Sequence, residues 1–112
     1  MKEVAESSAE IPAAAVPEEG WLLDVREDDE WVAGHAPGAT HIPLGELGAR
    51  GAEVPRDQTI YVICRSGARS ARAAFALAGS GWEAVNVAGG MQDWAAAGRE
   101  MTTDSGGEPY VA

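Results

Sequence analysis

Hydrophobic positions along this chain fall in short runs separated by turn formers. Residues 21–26 (Trp-Leu-Leu-Asp-Val-Arg), 59–63 (Thr-Ile-Tyr-Val-Ile) and 83–87 (Glu-Ala-Val-Asn-Val) are short, apolar and rich in β-branched side chains, and predict buried strands. Helical patterns lie between them. Glu27, Asp28, Asp29 and Glu30 are acids placed to start a helix carrying Trp31 and Val32, and Gly34 is its stop. Residues 68–78 set Ala71, Ala74, Phe75 and Ala78 at helical spacing, with Gly79 or Gly81 as the stop. A last helix over 91–97 turns Met91, Trp94 and Ala95 inward and ends at Gly98. Weaker signals predict a short edge strand and one helical turn over 10–17, limited by Pro12 and Pro17. A turn at 35–38, a short strand over 39–42 and a helix from Pro43 through Leu44 and Leu47 follow. Strands alternating with helices through short loops indicate an α/β domain with a mostly parallel sheet, expected over 10–98. Residues 1–9 are patternless and expected to fray, and 99–112 form a tail expected to be loosely held from Thr102.

The strand at 59–63 leads directly to Cys64, the one cysteine of the 112 residues, and then to Arg65, Ser66, Gly67, Ala68, Arg69 and Ser70. Cys64 is thus expected at a strand-to-helix turn. The first N–H groups of a helix lack intrahelical partners and carry partial positive charge, so a thiolate there is stabilised and the thiol pKa falls. The amides of the short loop can turn inward as an anion-binding nest, suited to an anion or to a sulfur atom carried on Cys64. A free cysteine is more often a small buried hydrophobe; the Arg-Ser-Gly that follows and the basic helix start weigh against that. In parallel sheets, sites form beyond the carboxyl ends of strands, and the end of the 21–25 run brings Asp24 and Arg26 to the same edge.

Composition narrows the partners. The net charge of −10 argues against nucleic acid and anionic membranes. Residues 1–30 hold ten acids against Lys2 and Arg26, whereas 58–82 hold three arginines and no acid. A local positive field around Cys64 favours a small anionic substrate, although Arg72 reads equally as a solvated helix face. With a single cysteine, no intrachain disulfide or cysteine-based metal cluster is expected. No secretory h-region and no run of transmembrane length occur, so a soluble, cytoplasmic protein without membrane contact is expected.

Several landmarks then resemble the single-domain rhodaneses over about residues 10–98. They are Leu22-Leu-Asp-Val-Arg26 with Glu30-Trp31, Gly34-His35-Ala-Pro-Gly38-Ala39 with His41-Ile-Pro43, the loop from Cys64 to Ser70, and Gly89-Gly90 with Trp94. Ala36 departs from the larger aliphatic frequent in the family, at no evident functional cost. The resemblance implies a rhodanese-like α/β fold, a mostly parallel central sheet flanked by helices on both faces, and sulfur transfer through a Cys64 persulfide. Related phosphatases of the cell-division-cycle type and arsenate reductases place the arginine six positions after the cysteine. Here position 70 is serine and Arg69 comes five after Cys64, which disfavours phosphatase or arsenate reductase chemistry.

On this reading the Cys64 thiolate takes the sulfane sulfur of a donor such as thiosulfate, the amides of residues 65–69 hold it, and cyanide or a thiol removes it. Arg65 is the candidate to orient the donor's sulfonate and Arg69 to brace the loop through a carboxylate or carbonyl. Ser66 and Ser70 are expected to satisfy loop backbone or cap the helix. Asp24 and Arg26 are expected to support the site edge, with Glu30 a natural partner for Arg26. His35 and His41, six apart across a Pro-Gly turn, lack helical ligand spacing and are read as structural, so no metal and no cofactor are expected. The four tryptophans are read as core or rim. The rival reading is a persulfide carrier or sensor in a sulfur relay, loaded by a protein partner. The acidic 1–30 region would then be either its docking surface or plain solubilising charge.

Overall fold

The structure, a computed structural model, describes residues 9–112. The expected fraying of 1–9 lies, apart from Ala9, outside the described residues. Five strands form one sheet: β1 (Glu10–Pro12), β2 (Trp21–Asp24), β3 (Thr40–His41), β4 (Ile60–Ile63) and β5 (Ala84–Ala88). Their order is β1-β5-β4-β2-β3, and every pairing is parallel. The helices are α1 (Asp28–Ala33), α2 (Leu47–Arg50), α3 (Ala68–Gly79) and α4 (Gly90–Ala96), with single 3-10 turns at Ala13–Ala15, Leu44–Glu46 and Gly51–Glu53. The segment after Pro43 is therefore a broken helix rather than a continuous one. Gly45, Gly48 and Gly51 are too frequent there for a longer run to hold.

Alternation along each strand sends side chains to both faces, and both are covered, which is why the strands read as apolar runs. On one face Leu23, Val25, Ile60, Val62 and Cys64 pack with Ala73, Ala74 and Leu77 of α3 and with Leu47 of α2. On the other Leu22, Ile63 and Val87 pack with Met91 and Trp94 of α4 and with Ala13 and Val16. Each fully buried aliphatic side chain here contributes about 1.5–3 kcal/mol. The central strand β4 lies between β5 and β2, so the loop it delivers is anchored on two sides.

The buried stripe of α3 is Ser70, Ala73, Ala74 and Leu77, at the i, i+3, i+4, i+7 spacing of one helix face. Phe75, expected inward, is 60% exposed, and Ala95 of α4 is exposed as well. Alanine-rich helices offer little contrast between faces, and in α3 the facing is set by Leu77 and by the polar Ser70.

Residues 102–112, expected to be loosely held, return to the body. Thr102 forms an antiparallel bridge with His35, the Tyr110 N–H donates to the Ala33 carbonyl, and Met101 and Val111 pack on the α4-side core. Asp104 accepts from Trp31 Nε1 at 3.4 Å and lies 3.3 Å from His35 Nε2. The polar, Gly-rich wording of this segment hides contacts that only the folded 31–35 region can supply.

Candidate active site

Cys64 stands directly after β4, at the carboxyl end of the central strand, and its side chain is buried. Three donors meet its sulfur: the Gly67 N–H at 3.1 Å, the Ser70 N–H at 3.4 Å and the Ser70 hydroxyl at 3.2 Å. Burial pushes the thiol pKa up. The Ser70 hydroxyl and the N–H groups of Ser70, Gly67 and Ser66 outweigh it, and the thiol lies below its ordinary value.

The loop holds this shape because its carbonyls are taken on the other side. The first amides of α4 clamp it, Met91 N–H donating to the Cys64 carbonyl at 2.8 Å and Gln92 N–H to that of Arg65 at 3.0 Å. Close approach needs glycine at the start of α4. A Cβ on Gly90 would collide with the backbone of Cys64 and Arg65, and its φ of +55° is a left-handed conformation. Gly67 closes the turn at φ +108°, with Ala68 as the first residue of α3.

Arg69 and Arg65 leave the loop in different directions. Arg69 makes a bidentate pair with Glu30, at 2.7 and 2.8 Å. Glu30 is itself placed by the start of α1, where its side chain accepts from the Glu27 N–H at 2.9 Å in a reciprocal capping box. The hydrogen bonds from Arg69 hold the Glu30 carboxyl down to about 2 against the opposing effect of burial, and Glu30 in turn raises Arg69. Arg65 is exposed, with Nε donating to the Ala112 carbonyl at 2.9 Å. Ser66 is exposed at the loop's crest, and Arg72 is exposed on α3.

Arg26 does not pair with Glu30. Its guanidinium forks onto Asp24, with Nη2 at 2.8 Å from Oδ2 and Nε at 3.0 Å from Oδ1, and Nη2 also donates to the Gly34 carbonyl at 2.8 Å. Both side chains are fully buried. The carboxylate two residues away is already inside, whereas Glu30 is claimed by Arg69. The pair therefore ties the carboxyl end of β2 to the end of α1 at Gly34. Trp31 lies stacked between His35 and His41, at centroid distances of 3.5 and 4.8 Å. His35 Nδ1 meets the Trp31 carbonyl and His41 Nε2 the Arg26 carbonyl, each at 2.8 Å.

A family model for the rhodanese-like domain matches residues 4–97. The chain belongs to that family. Among relatives of this rhodanese-like domain, the putative sulfur carrier protein YrkF of Bacillus subtilis is 47% identical over 74 residues, covering 65% of this chain and 40% of that protein. The putative sulfurtransferase YtwF of the same organism is 42% identical over 77 residues, 69% of this chain and 75% of that one. A rhodanese-related protein of Thermoplasma volcanium has a solved structure that superposes with a TM-score of 0.81 at 34% identity, covering 86% of this chain and 99% of its own. The domain is thus one of a family whose members carry the names sulfurtransferase and sulfur carrier.

Four participants in this domain's site escape sequence reasoning. Glu30 as the partner of Arg69 lies 39 positions away, and only the β4-β2 pairing brings the two helix starts together. Asn86 on β5 and Glu10 on β1 form a polar chain to Ser70; the one polar residue interrupting the apolar Ala-Val-Asn-Val-Ala run was its visible signal. The Ala112 carbonyl beside Arg65 had none.

Proposed function

We propose that this protein is a sulfurtransferase working through a Cys64 persulfide. The Cys64 thiolate attacks the sulfane sulfur of a donor such as thiosulfate; a new S–S bond forms as the donor's S–S bond breaks, and sulfite leaves with the electron pair. The terminal sulfur of Cys64-S-S⁻ is held by the loop amides of residues 65–69. A thiol or cyanide then attacks that sulfur, and the Cys64 thiolate is regenerated. The observation that carries this reading is the convergence of three hydrogen-bond donors on one buried sulfur, an environment that stabilises negative charge on it. Arg65, exposed at the loop, is the residue proposed to meet the donor's sulfonate, and Arg69 and Ser70 support the loop.

Intact mass after mixing the reduced protein with thiosulfate, beside Cys64→Ser, tests the cycle. Gain of one sulfur atom by the native protein alone, discharged by cyanide, is the expected result. No gain would sink thiosulfate as donor. A second reading, a carrier loaded by a protein partner, is favoured by the contact of Arg65 with Ala112, which occupies the group proposed to recognise a free anion. A desulfurase that loads Cys64 faster than thiosulfate does would establish the carrier.

A further inference from the structure

Beyond Ser70, a polar chain leads away from the sulfur and has no role in the cycle just described. Ser70 Oγ lies 3.2 Å from Cys64 Sγ and 2.6 Å from Asn86 Oδ1, and Asn86 Nδ2 donates to Glu10 Oε2 at 2.9 Å. Sheet register builds it. Glu10 on β1 is the Cα partner of Asn86 on β5, and Asn86 is the partner of Val62 on β4, so the side chains share the sheet face covered by α3, which carries Ser70. Ser70 is fully buried and Asn86 nearly so, at the floor of a groove of about 510 Å³ that it lines together with the exposed Glu10, Arg72 and Phe75.

A hydroxyl carries one proton, so Ser70 cannot donate to sulfur and to Asn86 at once. Asn86 biases the choice. Its NH₂ group is drawn to the Glu10 carboxylate, which turns its carbonyl oxygen toward Ser70. A Cys64 thiol is then served throughout: S–H donates to Ser70 Oγ, and Ser70 donates to Asn86 Oδ1. A thiolate is served less well, because a Ser70 hydroxyl that turns to sulfur leaves the buried Oδ1 without that donor. We propose that Glu10 and Asn86 are positioning residues that restrain ionisation of Cys64 by fixing where the single proton of Ser70 points. The inference rests on Cys64 being the reacting group, and on neither donor nor acceptor. The loop amides still favour the thiolate; the Glu10-Asn86 pair sets how far.

The charged groups on the elements around Cys64 are Arg65 on the loop, Arg69 on α3 with its partner Glu30 on α1, Arg72 on α3 at the groove that Glu10 shares, Arg50 on α2 with its partners Glu46 and Glu53, the Asp24-Arg26 pair, and Asp93 on α4. None joins the Ser70-Asn86-Glu10 chain, so the chain can be altered without breaking their contacts. The test is the rate of Cys64 alkylation by iodoacetamide against pH in Glu10→Ala, Asn86→Val and Ser70→Ala, alone and combined. Ser70→Ala is expected to move the midpoint to higher pH. Glu10→Ala frees the amide to turn its NH₂ group to Ser70, and Asn86→Val removes the competing acceptor. Each is expected to move the midpoint down and raise the alkylation rate about threefold one pH unit below it. Neither should have an effect on the Ser70→Ala background. A midpoint unchanged or raised in both variants overturns the proposal, and so does a fall of equal size with and without Ser70, which would reveal charge acting through space. If Asn86→Val fails to fold, Glu10→Ala on the edge strand answers alone. Alkylation needs no sulfur donor, so a failure of thiosulfate loading and a failure of this proposal are read separately.

Discussion

The two ends of the Cys64 loop each carry an arginine, and they are held in opposite ways. At the α3 end, Arg69 makes two charge-assisted bonds to Glu30, whose side chain is only 13% exposed and is itself fixed by a helix cap. At the β4 end, Arg65 is exposed and makes a single bond, from Nε to the main-chain oxygen of Ala112. A paired, half-buried guanidinium keeps its geometry, because separating it strands a carboxylate that has already lost water. An exposed one gives up a carbonyl at little cost. Position along one loop thus divides two like residues into one that maintains shape and one that is available to meet an anion.

The largest expected effect comes from removing what both ends share. Gly90→Ala puts a methyl group against the backbone of Cys64 and Arg65 at a left-handed φ, so the α4 clamp and the loop cannot both persist. Loss of at least about 3 kcal/mol in denaturant unfolding is expected, together with loss of sulfur loading; near-native stability would show that the clamp is dispensable. Next is the shape-holding end. Arg69→Ala is expected to cost about 2 kcal/mol, and Glu30→Gln somewhat less, since the amide retains one bond. The pH dependence gives an independent check. The folded Glu30 carboxyl lies near 2, below the ordinary value of 4.5. Its contribution is therefore complete above about pH 4.5 and is lost as pH falls through the folded value of about 2. Wild type should lose on the order of 1–2 kcal/mol more than Glu30→Gln across that window, matching the cost of the substitution at neutral pH; parallel acid-unfolding curves would show the pair to be a surface contact only.

How far the sequence discloses this arrangement depends on the range of each interaction. Period and turn chemistry are local, so the strand carrying Cys64, the glycine-closed loop and the acid-started helix at 28–33 are legible, and the motif order carries the family. Contacts set by sheet order are not. Arg26 is expected to meet Glu30 across the start of the helix, yet it forks onto Asp24, two residues back and already desolvated, and Glu30 is left for an arginine from another strand's loop. The docking of 102–112 and the exposure of Phe75 fail for related reasons, since one depends on a surface formed by 31–35 and the other on which face of an alanine-rich helix the sheet selects. The Asn86 position shows an intermediate case: a polar residue in a buried strand announces that some partner exists without saying which.

The smallest effect is expected at the end of the loop that is free to change partner, and it sharpens the comparison most. Arg65→Ala removes one exposed bond to a carbonyl, so unfolding free energy should move by no more than about 0.5 kcal/mol. If its guanidinium recognises the donor's sulfonate, KM for thiosulfate should rise several-fold, on the order of 3–10, while a neutral persulfide donor is unaffected. Competition with the Ala112 carbonyl adds a second expectation. A variant shortened by Ala112 alone keeps the Tyr110 and Val111 contacts but loses that acceptor, and should lower KM for thiosulfate in the Arg65 protein but not in Arg65→Ala, because only the former has a group to release. Equal effects of Arg65→Ala on charged and neutral donors would place Arg65 beside Arg69 as a purely structural residue, and the two ends of the loop would then differ in strength alone.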